Sequence, residues 1–152
     1  MKRDTGIVAA VITGISVAIL GSAMLCAWAT AHGASPVWRW PFRLICHGLP
    51  QRSFETFGTT MPVCARCVGV YAGLLAGLVA FAVLPWVTER VMRWIAMAAV
   101  VPLGIDGFTQ LLGLRESTNP LRLATGIAAG LAFGMWVLSA IERRDERVPG
   151  TS

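Results

Sequence analysis

The residues able to do chemistry crowd between positions 46 and 67. They read Cys46-His47-Gly48-Leu49-Pro50-Gln51-Arg52-Ser53-Phe54 and then Met61-Pro62-Val63-Cys64-Ala65-Arg66-Cys67-Val68-Gly69. Cys64 and Cys67, preceded by Pro62 and followed by Gly69, have the spacing of a metal knuckle, whose turn aims two thiolates at one ion while backbone amides hydrogen-bond to the sulfurs. Cys46 and His47 would complete the coordination of zinc or another transition metal. Adjacent residues rarely both ligate one ion comfortably, so one of this pair is left beside the site as an outer or acid-base group. The fourth position then falls to water, substrate or Asp106, and the site is open rather than purely structural. Covalent haem attachment is disfavoured, because no histidine directly follows Cys67.

The same thiols admit a redox reading. A Cys-x-x-Cys at a helix N-terminus beside Arg66 has a lowered thiol pKa, and on an oxidising membrane face its disulfide would persist. Bacterial membrane thiol oxidases that pass electrons to quinone are similar in having four helices with Cys-x-x-Cys opening the second. They carry a second cysteine pair in a later loop, whereas no cysteine follows Cys67 here, so a relay would have to end on Cys46.

Further polar residues stand out against apolar surroundings. Asp106 and Gln110 lie four apart, hence on one helix face, and a carboxylate in a membrane segment is costly enough to be a functional candidate. Arg66 and Arg122 are its natural partners, and Asp106, Arg66 and Arg122 form the candidate catalytic set. Arg52, Ser53, Tyr71, Gln110, Arg115, Ser117 and Asn119 are candidates to line a ligand pocket suited to an anionic head group or phosphate. The plainer alternative is an ion pair between helices that only fixes packing.

The elements that must hold these groups are membrane helices. At 55% hydrophobic and 14% charged residues, the chain is too apolar for an ordinary soluble domain. Four segments, about 6–31, 67–87, 92–114 and 122–142, are long enough to cross a hydrocarbon core of about 30 Å. The expected fold is an all-α integral membrane bundle of four transmembrane helices in one domain, 1–152, with a long Cys/His loop over 32–66. Ala27-Trp28-Ala29 and Ala29-Thr30-Ala31 resemble signal-peptidase sites, but the first apolar run is longer than a signal core and reads as a retained helix. Cys26 within it reads as packing. Trp38, Trp40 and Phe42 interleaved with Arg39 and Arg43 suit an interfacial belt.

Gly69, Gly73 and Gly77, and again Gly126, Gly130 and Gly134, form glycine-zipper stripes that let backbones approach closely. They predict tight packing of the second and fourth helices, with each other or in a homo-oligomer. Arg66 before one stripe and Arg122 before the other hint at an internal repeat of helix pairs. The formal charge of +5 comes from arginines beside membrane segments, which anchor the chain in the bilayer. No nucleic-acid-binding module is recognisable. Lys2 and Arg3 before the first helix favour cytoplasmic termini in the inner membrane, with the cysteine loop outside.

The string Cys46-His47-x-x-Pro50-x-Arg52-Ser53-Phe54 with Pro62-Val63-Cys64-Ala65-Arg66-Cys67-x-Gly69-x-Tyr71 resembles a family of small bacterial and archaeal membrane proteins classed as a domain of unknown function. Asp106-Gly-x-x-Gln110, Arg115-x-Ser117-x-Asn119-x-x-Arg122 and Gly126 are similar to that family's second motif. The resemblance covers most of residues 40 to 135 and implies a multi-helix membrane protein with a Cys/His motif, without implying a reaction. Three functions follow from the residues: a metal site beside a polar pocket that acts on or transports a small ion or anionic lipid-like ligand, a quinone-linked thiol oxidoreductase, or a structural or partner-binding scaffold. All require the scattered thiol, imidazole, carboxylate and guanidinium groups to be placed, and the first requires them in one pocket at one membrane face.

Overall fold

The computed structural model describes residues 3–84, 88–113 and 117–147. Four long helices dominate it: α1 (Arg3–Ala31), α2 (Ala65–Val83), α3 (Glu89–Leu111) and α4 (Asn119–Arg147). Each is long and apolar enough to cross a membrane, and the chain is an all-α membrane bundle. Of the expected helices, residues 85–87 and 114 lie outside the described residues, as does Arg115. α3 starts earlier than its apolar run, at Glu89, after the extended Thr88, which puts a carboxylate in the first turn, where the helix dipole favours it.

The connection over 32–66 has more regular structure than its proline and glycine content suggests. Pro36–Leu44 is a 3-10 helix whose entry is capped by Ser35. A second single turn, Pro50–Arg52, leads into an antiparallel hairpin of β1 (Ser53–Thr56) and β2 (Thr59–Cys64). Its two-residue turn, Phe57-Gly58, has φ of 54° and 74°, the left-handed pair that matches strand twist. The pairing sets Ser53 opposite Cys64, so β1 reaches the start of α2. Thr59 donates its hydroxyl hydrogen to the carbonyl of Ala27 (3.0 Å), and Arg39 to that of Met61 (3.3 Å), tying the hairpin to α1 and to the 3-10 helix. Beneath these bonds Ala23, Cys26, Ala27, Phe42, Cys46, Met61 and Val63 form one apolar cluster. Cys26 is packing, as its surroundings suggest.

α2 and α4 are the most closely packed pair and run parallel, as alternating spans require. The glycine stripes face each other: a methyl group added at Gly126 would sit 2.5 Å from the Arg66 carbonyl oxygen, and one at Gly77 2.5 Å from that of Leu131. The contact is reciprocal, Gly69 lying on Leu123 and Ile127 as Gly126 lies on Arg66 and Val70. Both stripes are therefore used within the chain. Of the two pairings the spacing allowed, this is packing of the two helices with each other. α4 also packs on α3 and on α1. At the end where α1 starts and α4 finishes, Glu89 lies 3.8 Å from Arg93 and 3.9 Å from Arg143. The other end carries the cysteines.

Candidate metal centre

The cysteine cluster is assembled by three local devices. Cys64 ends β2 in an extended conformation and serves as N-cap of α2, its sulfur accepting the backbone N–H of Cys67 at 3.5 Å. A sulfur thus stands where Ser, Thr or Asp usually caps, at the positive end of the helix dipole. One turn on, the Cys67 sulfur lies 3.4 Å from that of Cys64. Cys46 arrives from the end of the 3-10 helix, its N–H bonded to the Phe42 carbonyl at 2.8 Å. The following Gly48, with φ of +56°, turns the chain so closely over Pro62 that a Cβ would lie 2.8 Å from the Pro62 carbonyl oxygen.

Cys46, Cys64 and Cys67 bring their sulfurs within 4.8 Å of one another, a group able to hold a metal ion. Bonds of about 2.3 Å from a tetrahedral zinc ion would place sulfurs about 3.8 Å apart, inside the range from 3.4 to 4.8 Å found here. The backbone N–H of Cys64 donates to the Cys46 sulfur at 3.2 Å. Hydrogen bonding from the Cys64 and Cys67 thiols, with smaller help from the Cys64 and Gly48 amides, holds the Cys46 thiol far below the usual thiol range despite its burial. The four cysteines are free thiols.

Beside the sulfurs lies a cavity of ≈ 230 Å³ whose wall includes His47, Arg52, Arg66 and Arg122 together with the three cysteines. A chain of polar contacts behind it fixes two of the guanidinium groups. Arg66 pairs with Asp106 across α2 and α3. Gln110 donates to the Asp106 carbonyl at 2.8 Å, and its amide oxygen accepts from Arg122 at 3.0 Å. Arg122 also donates to the Asn119 side chain at 2.9 Å and to the Gln51 carbonyl at 3.4 Å. Asn119 in turn donates to the Ser53 carbonyl at 3.1 Å. Arg122 is only 5% exposed, yet its Nε, like that of Arg66, has no hydrogen-bond partner.

The sequence-derived candidates therefore occupy distinct places. Cys46, Cys64 and Cys67 form the sulfur group, while His47 is exposed and outside it, on the wall of the same cavity. Asp106 is buried against Arg66 and is not among the cavity-lining residues, and Gln110 and Asn119 hold Arg122. Ser53 is buried with its hydroxyl donating to the Leu49 carbonyl at 3.1 Å. Ser117 is buried near Asp106, and Tyr71 is half-buried on α2 and is not among the cavity-lining residues. Arg115 lies outside the described residues. Ile45, Gly48 and Leu49 also line the cavity. Their residue types carry no chemical signal, and only their adjacency to Cys46 could have drawn attention to them.

The sequence profile of a family described as "Predicted membrane protein (DUF2085)" matches residues 46–136. An uncharacterized protein of Methanocaldococcus jannaschii is 43% identical over 99 residues, which are 64% of this chain and 64% of that protein. This chain thus spans less than two thirds of that relative's length. An uncharacterized protein of Methanothermobacter thermautotrophicus is 42% identical over 100 residues, 66% of this chain and 88% of that protein. No solved structure matches. The profile match begins at Cys46 and takes in the sulfur group, the arginines and both glycine stripes. The chain belongs to the DUF2085 family of predicted membrane proteins.

Proposed function

We propose that this member of the family is a membrane protein with a transition-metal site, zinc in the first instance, on Cys46, Cys64 and Cys67, whose fourth position opens on a cavity that binds an anionic group. The observation that carries the reading is the convergence of three sulfurs and three guanidinium groups on one small cavity. Three protein ligands with one open position are the pattern of zinc sites that bind substrate or water rather than only brace a fold. Three thiolates around a divalent ion leave one net negative charge. With Asp106 it offsets two of the three arginines, and the remaining positive charge favours an anion. Planar guanidinium groups grip phosphate or carboxylate oxygens in pairs.

In this reading Arg52, Arg66 and Arg122 bind the anion, and His47, on the same wall, handles a proton rather than serving as fourth ligand. Asp106, Gln110 and Asn119 position Arg66 and Arg122. A metal ion there would supply Lewis-acid polarisation of a bound oxygen. The cysteine face lies outside the cytoplasmic membrane and the termini inside it.

Elemental analysis of the purified protein with thiol counting tests the metal. One equivalent of metal with three thiols shielded from alkylation is expected. A metal-free protein holding a Cys64–Cys67 disulfide that quinone regenerates would replace this reading with the redox one, and a protein with neither metal nor disulfide would reduce the cluster to a scaffold.

A further inference from the structure

A second concavity adjoins the first. Between α1 and the 3-10 helix runs an apolar groove of ≈ 560 Å³, whose walls include Leu25, Cys26, Ala29, Trp38, Phe42 and Ile45. Ile45 also lines the arginine cavity. One side chain is thus common to a cationic cavity and an apolar groove, and the next residue, Cys46, is one of the three sulfur ligands. Trp38 and Trp40 are exposed on the 3-10 helix, as aromatics at headgroup depth are. A bound anion among the arginines would therefore sit at the lipid-water boundary, with an apolar groove along α1 on the other side of Ile45.

We infer that the ligand of the arginine cavity is a lipid phosphate: its head lies among Arg52, Arg66 and Arg122, and its acyl or isoprenoid chain passes Ile45 into the groove between α1 and the 3-10 helix. This rests on the anion-binding part of the proposed function and adds the chemical class of the ligand. Charge complementarity selects the head, since the cavity-facing Arg122 is buried with an unpartnered Nε. The shared wall selects an amphiphile over a free anion, because each buried methylene contributes about 0.8 kcal/mol that inorganic phosphate cannot gain. No bond is made or broken in this step.

The test uses the full chain in maltoside micelles, with binding read by native mass spectrometry. Its probes are decanoyl-lysophosphatidate, glycerol phosphate and monodecanoylglycerol, and metal content is measured on the same samples. Lysophosphatidate should bind at least about tenfold more tightly than either of the others. Arg52→Ala, which removes a cavity arginine outside the Asp106 network, should weaken lysophosphatidate and glycerol phosphate alike. Ala29→Phe, which narrows the groove, should abolish the advantage of the acylated probe while leaving glycerol phosphate and the metal unchanged. Equal affinity for lysophosphatidate and glycerol phosphate would overturn the inference while leaving the metal site standing. Equal affinity for lysophosphatidate and monodecanoylglycerol would overturn both the inference and the anion-binding reading. A metal-free protein that keeps the tenfold preference would remove the metal and preserve the lipid ligand.

Discussion

Cys46 and Cys26 are both buried thiols in the same apolar cluster, yet only the Cys46 sulfur lies with those of Cys64 and Cys67. Replacing Cys46, Cys64 or Cys67 with Ser should each remove bound metal, whereas Cys26→Ala should retain the full equivalent; metal analysis of the four variants decides it. The Cys64-x-x-Cys67 pair was legible because its spacing is a property of one turn of chain. That Cys46 rather than His47 joins it depends on the left-handed turn at Gly48 and its contact with Pro62, which spacing cannot convey. Asp106 was legible as a residue needing a partner, since a carboxylate among apolar neighbours must find one, and Arg66 is that partner. Breaking a buried pair from one side typically costs about 3 kcal/mol, so Asp106→Ala should destabilise the detergent-solubilised protein by that order in thermal unfolding. The double replacement Arg66→Met with Asp106→Leu should recover most of the loss in stability while still lowering lysophosphatidate affinity. Recovery of both would make Arg66 a packing residue only.

The central helix pair depends on space that only glycine leaves. An added Cβ at Gly73 or Gly130 would come under 3.0 Å from the backbone of the facing helix, and backbone cannot yield as a side chain does. Gly73→Val should therefore cost upward of about 2 kcal/mol, whereas Gly14→Val on α1, where nothing lies within 4 Å, should change the unfolding temperature little. Similar losses at both positions would mean that the stripes do not carry the packing. The four-residue spacing made these stripes readable, but spacing alone did not choose between a partner helix in the same chain and one in another copy. The hairpin was harder to see. Phe57-Gly58 is a poor turn signal, because a phenylalanine at positive φ is uncommon, and the strands are short. Their place is fixed by long-range bonds such as Thr59 to Ala27 and Asn119 to Ser53, which no local pattern announces.

Across the whole molecule, the polar groups divide between the two ends of an apolar bundle. One end carries the sulfurs, Asp106 and the arginines, and the other carries Glu89 with Arg93 and Arg143. The family match begins at Cys46, whereas the residues of the apolar groove all precede it, so the cavity, Ile45 apart, belongs to the matched region and the groove to the segment before it. With termini inside, a single cysteine placed at exposed Trp40 in a chain whose native cysteines are replaced should react with an impermeant maleimide in intact cells, and one placed at exposed Arg90 should not. The reverse labelling would invert the orientation. The central claim is that three sulfurs hold one ion with a fourth position open to the cavity, and metal-edge X-ray absorption of the purified protein addresses it most directly. Three sulfur scatterers at about 2.3 Å with one lighter oxygen or nitrogen neighbour are predicted. A shell of only nitrogen and oxygen, four sulfurs, or no bound metal would contradict it.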